Sequence, residues 1–183
     1  MNNALKIGLI ALASGTVLHA SQTHAGISSH RLFSNPVNHC QAFTPGPANT
    51  IRNRVVGAEN IGPPIAVACN FHSTANGLAS SDPPYQLTVF FANNNSSGTI
   101  TVTCTLLTGG QASSNAYAVT KTTAAIPAGG MTTTSLNWTS LDNPTPGAID
   151  LGNAYIGINC TLPTGAVINQ TQLLWRQDNG VGT

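Results

Sequence analysis

Tyr155-Ile156-Gly157-Ile158-Asn159-Cys160-Thr161-Leu162 alternates along its whole length. Ile156, Ile158, Cys160 and Leu162 fall on one face, and Gly157, Asn159 and Thr161 on the other. A period of two is the pattern of a strand with one buried side. Two further stretches read the same way. Ile100, Val102, Cys104 and Leu106 share a face opposite Thr99, Thr101, Thr103 and Thr105, and Tyr85, Leu87, Val89 and Phe91 share one opposite Gln86 and Thr88. Cys69 occupies the same kind of place in Ile-Ala-Val-Ala-Cys-Asn-Phe. Weaker alternation marks 38–43, 50–56, 65–71, 116–126, 132–139 and 167–176.

Between these runs lie strong breakers, among them Gly62-Pro63-Pro64, Asp82-Pro83-Pro84 and Pro163-Thr164-Gly165. No segment carries a helical period. Eight or nine short strands separated by turns predict an all-β fold, an antiparallel two-sheet sandwich. Strand count favours a jelly-roll-like order, with an Ig-like order as the alternative.

The N-terminus has the pattern of an export signal. Lys6 precedes the uncharged apolar stretch from Ile7 to Leu18, and Thr23-His24-Ala25 fits small-x-small cleavage, with Ala20 a second site. The apolar stretch is shorter than the roughly 20 residues that span a bilayer. The expectation is therefore a signal peptide over 1–25, one domain over 26–183, and a secreted or periplasmic mature chain of bacterial type. Its first ten residues are polar and expected to be loose, and 177–183 are expected to fray.

Arg31, Arg52, Arg54, Lys121 and Arg176 balance Glu59, Asp82, Asp142, Asp150 and Asp178 in the mature chain. No basic field exists to draw nucleic acid or anionic lipid, and no later segment is apolar enough to insert in a membrane. Only 6% of residues are charged, far below the usual quarter or so. Low charge removes a barrier to self-association.

Four cysteines allow three pairings. An oxidising compartment makes disulfides the expected state, and the expected pairs are Cys40–Cys69 and Cys104–Cys160. Cys104 and Cys160 stand in equivalent strands, each followed by Thr-Leu, and a bridge there would tie the two strands or even the two sheets. The rival reading is a zinc site built on Cys69-x-x-His72 with His39-Cys40, which lacks a second half at ligand spacing. Asp142, Asn143, Asp150 and Asn153 could offer oxygen to calcium, although turn chemistry accounts for the same residues. No cofactor is expected.

Catalytic raw material is thin. His30, His39 and His72 are the mature histidines, and the acids lie in turn-like sequence, Glu59 included. A glycosidase would need two carboxyl groups across the bond, and no spacing supplies them. Trp138 and Trp175 are expected in the core, beside Leu136 and Leu173. Tyr117 and Tyr155 are the candidate ligand-binding residues, as rings able to stack on a sugar. The threonine row from Thr99 to Thr105 could order water as ice-binding surfaces do, but only one strand carries it. The Asn-x-Ser/Thr triplets are those a chain rich in Asn and Thr produces by chance.

Taken together, Cys40-Gln41-Ala42-Phe43, Val67-Ala68-Cys69, Leu136-Asn137-Trp138-Thr139-Ser140-Leu141 and the Tyr155–Pro163 strand resemble small exported bacterial β-sandwich proteins of unknown function. The resemblance implies fold and location and brings no site residues. The functional expectation is a non-catalytic protein that binds an extracellular or cell-surface ligand, carbohydrate first. A structural subunit of an extracellular assembly is the alternative, and a small hydrolase using His39 or His72 is the third reading.

Overall fold

The computed structural model describes residues 27–43, 50–55, 57–72, 84–108, 117–130, 133–139, 142 and 155–178. The expected signal peptide lies outside them. Thirteen strands run through the described residues: β1 (Ile27–Ser34), β2 (Cys40–Ala42), β3 (Ile51–Arg54), β4 (Gly57–Asn60), β5 (Ile65–His72), β6 (Pro84–Asn93), β7 (Thr99–Ile100), β8 (Thr103–Thr108), β9 (Tyr117–Thr122), β10 (Ile126–Pro127), β11 (Thr133–Thr139), β12 (Tyr155–Leu162) and β13 (Ala166–Asp178). One turn of 3-10 helix, Pro36–Asn38, joins β1 to β2. No described helix is long and apolar enough to cross a membrane.

Every strand pair is antiparallel. Of the two large sheets, one has the order β11-β6-β13-β4-β3, with β1 also on β13, and the other has the order β2-β5-β12-β8-β9; β10 and β7 form a separate two-stranded ladder. Within eight principal strands the pairing is first with last. β4 pairs β13, β5 pairs β12, β6 pairs β11, and β8 pairs β9. A long hairpin folded this way and rolled up, so that β13 also meets β6 and β12 meets β8, is a jelly roll and not the Ig arrangement.

The alternation seen in sequence builds the core. Val67, Cys69 and Phe71 of β5, Ile156, Ile158, Cys160 and Leu162 of β12, and Cys104 and Leu106 of β8 form one buried cluster with Leu87, Val89 and Phe91 of β6 and Leu136 and Trp138 of β11. Burial of this apolar surface is the main stabilising term. Trp138 is fully buried, and its indole N–H donates to the carbonyl of Val119, 3.1 Å away in the opposite sheet.

The structure corrects several expectations. The stretch read as loose is strand β1, paired with β13 over eight residues. Its polar sequence reflects exposed faces rather than disorder. The threonine row does not lie on one strand, because the chain leaves β7 after Ile100 and re-enters a ladder at Thr103. Glu59 is in β4, not a loop, and all four residues of β4 are buried. Both disulfides lie inside the five-stranded sheet. Cys40 is opposite Cys69 and Cys104 opposite Cys160 in register, each pair bonded with Cα atoms 4.0 Å apart. The Cys104–Cys160 bridge therefore ties neighbouring strands and does not join the sheets.

A buried asparagine helps to join them instead. Asn60 of β4 donates from Nδ2 to the carbonyl of Leu162 in the other sheet at 2.8 Å and to that of Pro63 at 2.9 Å, while its Oδ1 accepts the Gly62 N–H at 3.0 Å. Asn93, at the end of β6, donates to the carbonyl of Ile126 at 3.0 Å and so ties β6 to the separate two-stranded ladder of β10 and β7. A buried amide is tolerated only when it is satisfied in this way.

Candidate ligand-binding cleft

The chain crosses from one sheet to the other in the five residues between β1 and β2. Asn35 caps the 3-10 turn, its Oδ1 accepting the Val37 N–H at 3.1 Å, and Pro36 supplies the fixed φ that favours such a start. The His39 N–H closes the turn on the Pro36 carbonyl at 3.1 Å. The His39 carbonyl then accepts the Asn70 N–H at 3.1 Å, which fixes the entry into β2 against β5.

This crossover leaves a cleft of about 350 Å³ at the flank of the sandwich, between the edge formed by β1 and the edge formed by β2. Leu32, Phe71 and Leu173 give it an apolar wall. Ser34, Asn38, Gln41, Asn70 and Thr171 give it hydroxyls and amides. The His39 ring stands between the two sets, tilted 56° to the Phe71 ring with centroids 5.6 Å apart.

The described residues that line the cleft carry no formal charge. Burial pushes the His39 imidazole below its ordinary 6.5, so it is neutral at pH 7. Its Nε2 is buried and makes no hydrogen bond to any described residue. No carboxylate is among the described residues that line the cleft.

The two carboxylates with described surroundings are committed elsewhere. Glu59 accepts from Arg52 Nη2 at 2.7 Å, from Arg54 Nε and from Asn94 Nδ2 at 2.6 Å. Burial alone would raise its pKa, but the hydrogen bonds from Arg54, Arg52 and Asn94 and the charge of Arg54 outweigh it and hold the carboxyl below its ordinary range. Asp142 likewise loses to burial but gains more from Lys121, 2.6 Å away, and from the Thr139 N–H, so it too is held low.

The sequence-predicted candidates distribute as follows. Cys40 and Cys69 are consumed in a disulfide, which removes the thiolates that a zinc site would need. Asp142 is turned to Lys121; Asn143, Asp150 and Asn153 lie outside the described residues, and no described cluster of His, Cys, Asp or Glu has metal-holding geometry. Tyr155 opens β12 opposite His72, and Tyr117 opens β9 opposite the buried Thr108; the side chains of both tyrosines and of His72 lie outside the described residues. Asn38, Gln41, Asn70 and Thr171 carry no sequence signal of a site by themselves, because isolated amides and hydroxyls on turns and strands look like ordinary solvent-facing positions. The available signal was adjacency, since Gln41 follows Cys40 and Asn70 follows Cys69, and the bridge brings both to one place.

No protein-family model matches the sequence, and a search of curated proteins finds no match. Among solved structures the chain is similar to a novel carbohydrate binding module from glycoside hydrolase family 9 (Cel9A) of Ruminococcus flavefaciens FD-1. Identity is 14% and the TM-score 0.42, over 82% of this chain and 100% of that one. The jelly-roll assignment rests on this chain's own strand pairing.

Proposed function

We propose that the protein is an exported, non-catalytic binding protein that holds a neutral carbohydrate in the cleft between β1 and β2. One observation carries this reading: a concave site whose described lining has five neutral hydroxyl or amide side chains, two rings, an apolar wall and no charge. Small-molecule sites combine apolar walls with a few placed polar groups in this way, and the volume sits at the low end of their usual range. A sugar presents hydroxyls to the amides and C–H faces to the rings and leucines. An ionic ligand would find no counter-charge.

The export reading, with a signal over 1–25 and one domain over 26–183, belongs to the proposal, as does a secreted or periplasmic location. Two disulfides suit an oxidising compartment. Tyr155 is proposed as an added contact, since it alternates with Ile156 and so holds a register position on the outer face. Hydrolysis is the less favoured reading. Ser34 and His39 both line the cleft, but no carboxylate among the described lining residues is there to orient the imidazole or to protonate a leaving group.

A glycan array together with a polysaccharide pull-down tests the proposal. Retention of neutral glycans that persists in 1 M salt is expected, because no ion pair is available to screen. Empty results in both formats, or release of reducing sugar from a retained glycan, would refute it.

A further inference from the structure

Gln41 and Asn70 belong to two surfaces. Both line the cleft, and both alternate with buried positions (Cys40, Cys69 and Phe71), so they also lie on the outer face of the five-stranded sheet. Register carries that face across all five strands. Gln41 is opposite Ala68, Ala68 opposite Asn159, Asn159 opposite Thr105, and Thr105 opposite Thr120. A parallel row runs Ala66, Thr161, Thr103, Thr122.

These residues are small and uncharged, and Asn159, Thr161, Thr103, Thr120 and Thr122 are exposed. Cross-strand contacts align the hydroxyls: Thr103 with Thr122 at 2.9 Å and Thr105 with Thr120 at 2.8 Å. Four interstrand steps span roughly 19 Å. The face is therefore an array of hydroxyl and amide groups that begins at the cleft and is interrupted on β5 by Ala66 and Ala68. Its large exposed apolar side chains among the described residues are Leu107 and, just past β2, Phe43, whose N–H donates to the Ala66 carbonyl. Protein interfaces rely on a cluster of aromatic or Arg anchors over about 800 Å² per partner, and the described part of this face offers one ring, Phe43, at its β2 edge beside the cleft. Its chemistry matches a neutral, hydroxyl-rich chain.

We infer that the ligand is a polymer, with one unit seated in the cleft and the following units laid across the outer face of the five-stranded sheet from β2 towards β9. The inference rests on the carbohydrate reading of the cleft and adds the ligand's length and direction. Affinity then grows with chain length, while the face beyond Gln41 contributes nothing to a single sugar.

The test is titration calorimetry with neutral glucose, xylose and mannose oligosaccharides of one to six units. At least a tenfold fall in Kd from the shortest binder to the hexamer is expected. Asn159→Arg, at an exposed position, should abolish that gain and leave the shortest binder within twofold of wild type, whereas Asn70→Ala should weaken every length. Equal affinity at all lengths would overturn the inference and leave the cleft reading standing. Binding at no length would overturn both. Freezing-point hysteresis without glycan binding would give the face to ice, and a dimer dissolved by Asn159→Arg would give it to a second copy; either overturns the inference.

Discussion

The imidazole of His39 rests against the ring of Phe71, with centroids 5.6 Å apart, at the point where the chain passes from one sheet to the other. Phe71 belongs to the core cluster and His39 does not. The pair is therefore where the packed interior meets the cleft, and the protonation state of His39 couples the two.

That coupling has a sign. The folded pKa of His39 lies below the unfolded value of about 6.5 because burial disfavours the cation. The unfolded chain takes up the proton first, so the His39 contribution is fully present above pH 6.5 and is lost as pH falls through the folded pKa. Urea unfolding of wild type and His39→Phe at pH 7.5 and at pH 5 should show the wild type losing more stability on acidification. Equal losses would show that His39 titrates as a solvated residue.

Glu59 and Asp142 act in a lower window. Both are held below their ordinary values, so the stability they confer is present above about pH 4.5 and 3.8 and declines as pH drops below those values. Arg52 and Arg54 are about half and a third exposed, so solvent screening reduces the strength of the cluster. Glu59→Gln should cost about 1–2 kcal/mol at pH 7 and almost nothing at pH 3. A cost that stays constant with pH would assign it to packing alone.

The disulfides close chain segments of 29 and 56 residues. Chain entropy predicts about 4 kcal/mol for the longer and about half a kilocalorie less for the shorter. Denaturant unfolding of the two Cys→Ala double variants measures this. A much larger loss from the Cys104–Cys160 pair would show that these two fully buried cysteines of β8 and β12 matter more as packing than as a cross-link.

Trp138 should report the integrity of the sandwich. It is fully buried and bonded across the sheets to Val119. Trp138→Phe is expected to cost about 1–3 kcal/mol and to remove the more blue-shifted part of the native emission. A red-shifted Trp138 would contradict its place in the core.

The elements that sequence made legible are those with one clean buried face. β12 alternates along its length, and β6 and β8 do so through Val89 and Leu106, so period two found these strands and the cysteines of β8 and β12. β13 was harder because its register with β6 slips between Ile168 and Gln170. Ala166 and Ile168 face the core before the slip and Leu173 after it, so the apolar residues change parity within one strand. β4 is Gly-Ala-Glu-Asn, which reads as a loop. Gly57 has φ +144°, and a Cβ there would collide with the Ile168 carbonyl, so glycine lets β4 press against β13. The cleft was illegible for a topological reason. Its residues come from β1, the 3-10 turn, β2, β5 and β13, and only the roll of the sheets brings Leu32 and Thr171 to the same wall as Asn70.

The central claim is that the cleft is where ligand binds. Backbone amide chemical shifts recorded while a glycan retained on the array is titrated in test it most directly. The account predicts that the largest shifts fall on Asn38, His39, Gln41, Asn70 and Phe71, at the crossover between β1 and β2. Shifts confined to the far edge at β11 or to the Asn60 and Asn93 corner, with the His39 region unchanged, would contradict it.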